Sequence, residues 1–416
     1  MAATLVPPFR VALLGVDEQT TEIARAAIAN RQFDLVGLYD EETAGAGAHR
    51  TLPDALARVR RFSVWEAVLD SGIADVVVVA RSNDQDLRSE QLRKLIQTEM
   101  PVLAVHPIVD SMLVYYELDM IRRDTGSLIV PYLPERNHPA IRALGEAVSH
   151  GEESPLGKVT QVALQRRVVQ TDAGHVVGQF ARDVDLIRAI TGELTRLGAI
   201  AGAAGETSED YAGLSVQMSG PSGVIGRWTV DPASATLGGQ LTILGTRGKA
   251  IVDMPTGDQP WTMERVVDGQ SSRESFDEWD PARAALDWLA AALTGDSPSP
   301  DWVDAARDLE LAETIERSLA KSRTIELYYE DYTEQGTFKG TMTSVGCGLL
   351  LFGLCMLGLV GIGDHLRIPF LDKWPYVLAG GLVLFLLLQM LMLVFHRDGA
   401  RGSDEPTAVK GTAGTG

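Results

Sequence analysis

Cysteine is nearly missing from this chain of 416 residues: only Cys347 and Cys355 occur, and both fall inside one apolar run. No disulfide framework and no cysteine-based zinc site organises the rest, which suits a reducing compartment. Basic residues are also in short supply. Against 56 acidic side chains stand 37 lysines and arginines, and a net charge of -19 repels phosphate backbones and leaves no basic stripe for DNA or RNA. Nucleic acid is not expected as a partner. The seven histidines are scattered without metal-ligand spacing, so no metal site is expected. A G-x-S-x-G elbow, a P-loop and an H-E-x-x-H pair are all absent. Met1 to Arg10, followed by the short apolar stretch Val11 to Leu14, provides no signal h-region, so the N-terminal body is expected in the cytoplasm.

What is present divides into a long body and a C-terminal appendage. Met342 to Ile362 and Tyr376 to Phe395 carry no charge, and each is about the 20 residues needed to cross roughly 30 Å of hydrocarbon. They predict a pair of transmembrane helices within residues 342–397, reached by a juxtamembrane linker at 331–341. Arg367 and Lys373 lie between the runs, whereas Lys339, Arg397, Arg401 and Lys410 lie outside them; this excess places both ends in the cytoplasm. The tail at 398–416, rich in Gly, Thr and charge, reads as disordered.

Within the body, Phe9 to Tyr132 alternates short apolar runs with amphipathic stretches, the pattern of a parallel sheet covered by helices. Strands are predicted at Arg10–Leu14, Phe33–Tyr39, Val76–Ala80, Val102–Val105 and Ser127–Pro131, with helices from about Thr20, Ser63, Asp86 and Ile108. This is a Rossmann-like α/β domain, residues 1–133, in which ligands bind at the carboxyl ends of the strands. Residues 134–330 read as an α+β domain with an open, mostly antiparallel sheet. Its strands are Lys158–Val169, Ala212–Met218, Gly223–Val230, Gln240–Gly245 and Lys249–Val252, and its helices are Asp183–Thr191, Pro281–Leu293 and Val303–Ser322. Gly245-Thr-Arg-Gly248 predicts a hairpin turn whose glycines take positive φ.

The order of landmarks from Phe9 to Leu327 resembles the Gfo/Idh/MocA family, named for glucose-fructose oxidoreductase and inositol dehydrogenase. The landmarks are Val11-Ala-Leu-Leu-Gly15, Asp40 ending the second strand, Ala74-Asp-Val-Val-Val-Val-Ala80, and Met100-Pro-Val-Leu-Ala-Val-His-Pro107. Arg136-Asn-His-Pro139, Asp185-Leu-Ile-Arg-Ala-Ile-Thr-Gly192, Leu244-Gly-Thr-Arg-Gly248 and Ser318-Leu-Ala-Lys-Ser322 follow. The resemblance implies an NAD- or NADP-dependent oxidoreductase acting on a sugar, polyol or related carbinol, with a bound nucleotide sugar as the ligand of a non-catalytic alternative. It also implies homo-oligomerisation through the open sheet.

The family's chemistry is altered at three places. A G-x-G-x-x-G turn needs residues without side chains where the backbone approaches the pyrophosphate, and here it reads Gly15-Val-Asp-Glu-Gln-Thr20. Gly15 remains, and Asp17 and Glu18 put carboxylates where the diphosphate would lie. Asp40 stands where an acidic residue accepts from ribose hydroxyls. In the cofactor-lining loop Arg81-Ser-Asn-Asp-Gln-Asp86 only Asn83 matches, and Arg81 offers a charge for phosphate. Where the family has Glu-Lys-Pro, this chain has Val105-His106-Pro107; Pro107 keeps the backbone turn, and His106 is a substitute proton carrier with a pKa expected near neutrality. Aligning Asp185 with the family's aspartate puts Arg182 at the catalytic histidine position, and an arginine stays protonated. Arg136 is expected to line the cleft. Two readings stay open: an oxidoreductase homologue with weakened or altered activity, and a non-catalytic ligand-binding or scaffold protein at the membrane surface.

Overall fold

The computed structural model describes residues 6–41, 52–70, 72–202, 210–233, 237–257, 259–297 and 299–327. The two apolar runs expected to span a membrane, at 342–362 and 376–395, lie outside the described residues. Among the described residues no helix is long and apolar enough to cross a membrane.

The first half alternates strand and helix: β1 (Phe9–Leu14), α1 (Glu18–Ala29), β2 (Phe33–Tyr39), β3 (Val76–Val79), α2 (Gln85–Gln97), β4 (Val102–Val105), α3 (Met112–Thr125) and β5 (Ile129–Tyr132). These strands form one parallel sheet in the order β2-β1-β3-β4-β5. Strands β3, β4 and β5 are apolar and buried throughout because both faces are covered. Ala12, Leu14, Val77, Val79, Val102 and Ala104 pack on one face, whereas Val11, Leu13, Val76, Val78 and Leu103 pack on the other. The helix expected near Ser63 is instead a single 3-10 stretch, Trp65–Leu69, and α3 begins four residues later than the pattern suggested, where Ser111 accepts from Leu113 N.

The chain continues through α4 (Pro139–Ser149), β6 (Val159–Val168), α5 (Ala173–Thr191), β7 (Arg196–Ile200), β8 (Ser215–Ser219), β9 (Ile225–Pro232), β10 (Gly238–Gly245) and β11 (Gly248–Pro255). It ends in β12 (Trp261–Val267), β13 (Gln270–Phe276), α6 (Pro281–Leu293), α7 (Trp302–Lys321) and β14 (Ile325–Glu326). The second sheet has nine strands in the order β13-β12-β11-β10-β6-β9-β8-β7-β14, antiparallel except where β6 runs parallel to β9. Strands β7, β12, β13 and β14 were not anticipated. Strand β13 is exposed along nearly its whole length and carries no apolar alternation to reveal it. Helix α5 starts ten residues before the expected Asp183, because Asp172 caps it by accepting from His175 N at 3.1 Å, ahead of a stretch diluted by Gly174 and Gly178.

Two further features position the site. The late helices α6 and α7 return to the first sheet: Ala282, Leu286 and Leu289 join one of its faces, and Trp302, Ala305 and Leu309 the other. The hairpin Gly245 to Gly248 forms as expected, but neither glycine has positive φ. Their need is for close approach instead, since a Cβ on Gly245 would lie 2.2 Å from the Leu156 carbonyl oxygen and one on Gly248 2.5 Å from that of Val266.

Candidate functional site

The first turn is built around its own carboxylate. Gly15 sits at φ +82, and a side chain there would meet Ala80 and the Arg88 guanidinium, each at 3.0 Å, so glycine is required. Asp17 then caps α1: its Oδ1 accepts from Thr20 N at 2.7 Å, while Thr20 Oγ1 accepts from Asp17 N at 2.8 Å. Asp17 Oδ2 also accepts from the backbone N–H of Arg81 at 3.2 Å, which ties the turn to the end of β3. The N-terminus of α1, where backbone amides and the helix dipole would meet a diphosphate, thus has an internal anion in place. Asp40 is buried, and its Oδ1 accepts from Val16 N at 3.2 Å, so one carboxylate oxygen is committed to the same turn. A dinucleotide diphosphate at this turn would meet the Asp17 carboxylate. Asn83 lies exposed in the loop before α2.

Beneath the turn lies Arg88, a residue that the sequence did not single out. Its side chain is 1% exposed, and Nη1 donates to Gln91 Oε1 at 2.8 Å. Burial lowers its pKa, opposed by the charges of Glu41, Asp17 and Asp40. Gln91 in turn donates to Glu41 Oε1 at 3.1 Å. A lone arginine on a predicted helix gives no sequence signal for such a place.

The second group gathers at the carboxyl ends of β3 and β4. Arg81 and His106 follow adjacent strands, paired up to Val79 and Ala104, and the His106–Pro107 bond is cis. Arg182 approaches from α5: the backbone of Ala181 hydrogen-bonds His106, and Arg81 and Arg182 both act electrostatically on its ring. His106 is 1% exposed, and its Nε2 has no hydrogen-bond partner among the described residues. Burial, reinforced by Arg182, pushes its pKa down to about 3, well below the near-neutral value expected from sequence. The imidazole is therefore neutral throughout the physiological range. Arg182 donates to Gln179 Oε1, and burial together with Arg81 lowers its pKa to about 10, so it stays charged at neutral pH. Glu135, just past β5, is a carboxylate that sequence reading passed over; burial raises its pKa while Arg182 and Arg166 oppose the rise.

Asp185 and Arg136 are brought together as an ion pair. Arg136 Nη1 donates to Asp185 Oδ1 at 2.7 Å and lies 2.9 Å from Asp304 Oδ1. Arg188 joins Asp308 at 2.7 Å and Asp304 at 3.2 Å. These five residues stitch α5 to α7 and to the turn before α4. Burial raises Asp185 to about 6 and Asp308 well above the ordinary carboxylate range, against the pull of the arginines. Further along α5, Asp183 accepts from Arg166 Nε at 2.9 Å and from Trp228 Nε1 at 2.8 Å. Next to Arg136, His138 caps α4, its Nδ1 accepting from Ala140 N at 3.1 Å, and its ring stacks on Trp261 at 4.1 Å. The Asn-His-Pro landmark is thus a helix start.

No protein-family model matches the sequence, and no curated protein is similar to it. Solved structures do resemble the fold. A Desulfitobacterium hafniense protein presented as an NADPH-dependent oxidoreductase superimposes with a TM-score of 0.66 at 14% identity, over 77% of this chain and 98% of that one. A myo-inositol dehydrogenase from Corynebacterium glutamicum gives 0.60 at 19% identity over 77% and 99%. An oxidoreductase from Agrobacterium radiobacter, solved with NAD+ and L-tartaric acid, gives 0.59 at 14% over 77% and 98%. The likeness establishes the fold: a parallel Rossmann-like sheet and a mostly antiparallel one, as in these oxidoreductase structures.

Proposed function

We propose that this chain is a Gfo/Idh/MocA-type oxidoreductase homologue in which hydride transfer between NAD(P) and a polyol or sugar is weakened or altered. In this reading residues 1–133 and 134–330 form the nucleotide-side and substrate-side domains, and the apolar runs within 342–397 tether them to the cytoplasmic face of a membrane. One observation carries it: the Asp17 carboxylate caps α1 and accepts from Arg81 N, filling the place where a diphosphate would be held. A bound dinucleotide has to displace that carboxylate or meet its charge, and either costs affinity.

A second reading, a non-catalytic protein that binds its ligand in the strand-end cleft, is favoured by His106. A base for a carbinol proton works best with a pKa near the operating pH, and a buried imidazole held at about 3 is a poor one. Arg182 beside it holds its proton. In both readings Gly15 and Asp40 shape the turn, Arg81, His106 and Arg182 face the cleft, and Arg136 with Asp185 supports it. The open face of the nine-stranded sheet is the surface on which a second copy would pack.

Calorimetry of the full chain in detergent with NAD and NADP tests the proposal. Binding weaker than micromolar is expected, improving tenfold or more when Asp17→Gly is combined with Thr20→Gly. Sub-micromolar binding by the unmodified chain, or steady NAD(P)H production from a sugar and inositol panel, would sink it.

A further inference from the structure

Four arginines lie near α5, and three of them are matched by carboxylates. Arg166 is held by Asp183, Arg136 by Asp185 and Asp304, and Arg188 by Asp308 and Asp304. Arg182 is the exception. Its side chain is partly buried, and its hydrogen bond among the described residues goes to the neutral amide oxygen of Gln179. Asp183 and Glu135 act on it only through space, and Asp183 is already engaged by Arg166, Trp228 and Gln179. Arg81, exposed just past the end of β3, adds a second cation whose charge acts on Arg182, and it makes no ion pair among the described residues.

A partly buried guanidinium without a carboxylate loses hydration and gains little in return, so its neighbours would ordinarily select a partner or a neutral side chain. The same chain supplies such partners three times within a few turns. His106, on whose ring both arginines act, presents a second unfinished group: its Nε2 is buried and has no hydrogen-bond partner among the described residues. Both gaps close with a ligand that brings an anion to the guanidinium and a polar group near the imidazole. Planar forked donors suit carboxylate and phosphate oxygens in particular.

We infer that the strand-end cleft binds a small polyhydroxylated anion, its carboxylate or phosphate clasped by Arg182 and Arg81. This rests on the reading of the cleft as a ligand site, and it names the class of ligand: an acidic sugar rather than a neutral polyol. It does not depend on a bound dinucleotide.

The test uses the full chain in detergent, without cofactor, titrated calorimetrically with D-gluconate, D-glucose 6-phosphate, D-glucose and sorbitol. The expected result is that at least one anionic probe binds tenfold or more tightly than either neutral one, and that added salt weakens it. The probe that does so separates a carboxylate source from a phosphate source. Arg182→Gln should remove this preference, Arg182→Lys should retain part of it, and Arg81→Ala should weaken it several-fold; circular dichroism checks that each variant is folded. Should Arg182→Gln fail to fold, the lysine and Arg81→Ala variants decide. Equal binding of neutral and anionic probes, no binding of either anion, or an anion preference unchanged in the arginine variants overturns the inference. Failure here with weak NAD binding intact would leave the proposed function standing, and the converse holds as well.

Discussion

Two polar interiors lie on helix α5, and they treat charge oppositely. Toward α7, Asp185, Arg136, Arg188, Asp304 and Asp308 alternate in sign so that each arginine touches a carboxylate. Toward the strand ends, Arg182, Arg81 and His106 sit together with no carboxylate bonded to either guanidinium among the described residues. In the first every arginine has a carboxylate partner and the arrangement joins elements, with Arg188 Nε and Asp308 Oδ2 left unpartnered among the described residues. In the second neither guanidinium has one, and this asymmetry is what the proposed anion site rests on.

The sharpest way to break this contrast is to damage the complete network. Arg188→Met would strand Asp308, which is 0% exposed, beside Asp304 without their shared cation. A loss of about 3 to 5 kcal/mol is expected from chemical unfolding, whereas Arg182→Met, which strands no bonded carboxylate, should cost far less. Similar losses from the two variants would erase the distinction.

A smaller effect concerns acid. In the folded protein His106 takes up no proton until about pH 3, whereas an unfolded histidine does so from 6.5. Between those values the unfolded chain binds more protons, so acid lowers stability as pH falls from 6.5 toward 3. Asp185 works in the opposite sense, because its pKa, raised to about 6, favours the folded state as pH falls from there toward the ordinary value. In His106→Gln, the stability lost between about pH 7 and about pH 4 should shrink by about 3 kcal/mol. An unchanged pH profile would mean that the ring is not held neutral.

The smallest effect belongs to the first turn. Asp17→Ala removes the cap of α1 and should cost about 1 kcal/mol in thermal unfolding. A larger loss would assign the Asp17 link to Arg81 a wider structural role.

Much of the fold was legible because hydrophobic periodicity marks buried elements. The strands of the first sheet lie within about two residues of their predicted bounds, and α6 matches Pro281–Leu293. Two of the failures have a visible cause: strand β13 lies exposed at the margin of the second sheet, where no buried face imposes alternation, and the start of α5 is masked by glycines. In the site, Asp17 was legible as a charge in the first turn, but its bond to Arg81 N spans 64 residues and leaves no local trace. His106 was located, yet its low pKa depends on burial by α5, which periodicity does not report. Glu135 and Arg88 escaped because each is an ordinary charged residue until neighbours from distant segments enclose it.

The return of α6 and α7 to the first sheet bears on the order in which the protein is made. A ribosome delivers β1 through β5 well before Leu286 or Leu309 exists, so both faces of that sheet lack part of their cover for about 150 residues of synthesis. At typical elongation rates of about 5 to 20 residues per second, this interval lasts on the order of ten seconds. During that time the nascent sheet carries exposed apolar surface of the kind chaperones bind. The apolar runs at 342–362 and 376–395 emerge only after this cover is complete, so the body has its full set of core-forming segments before the chain's most hydrophobic stretch leaves the ribosome.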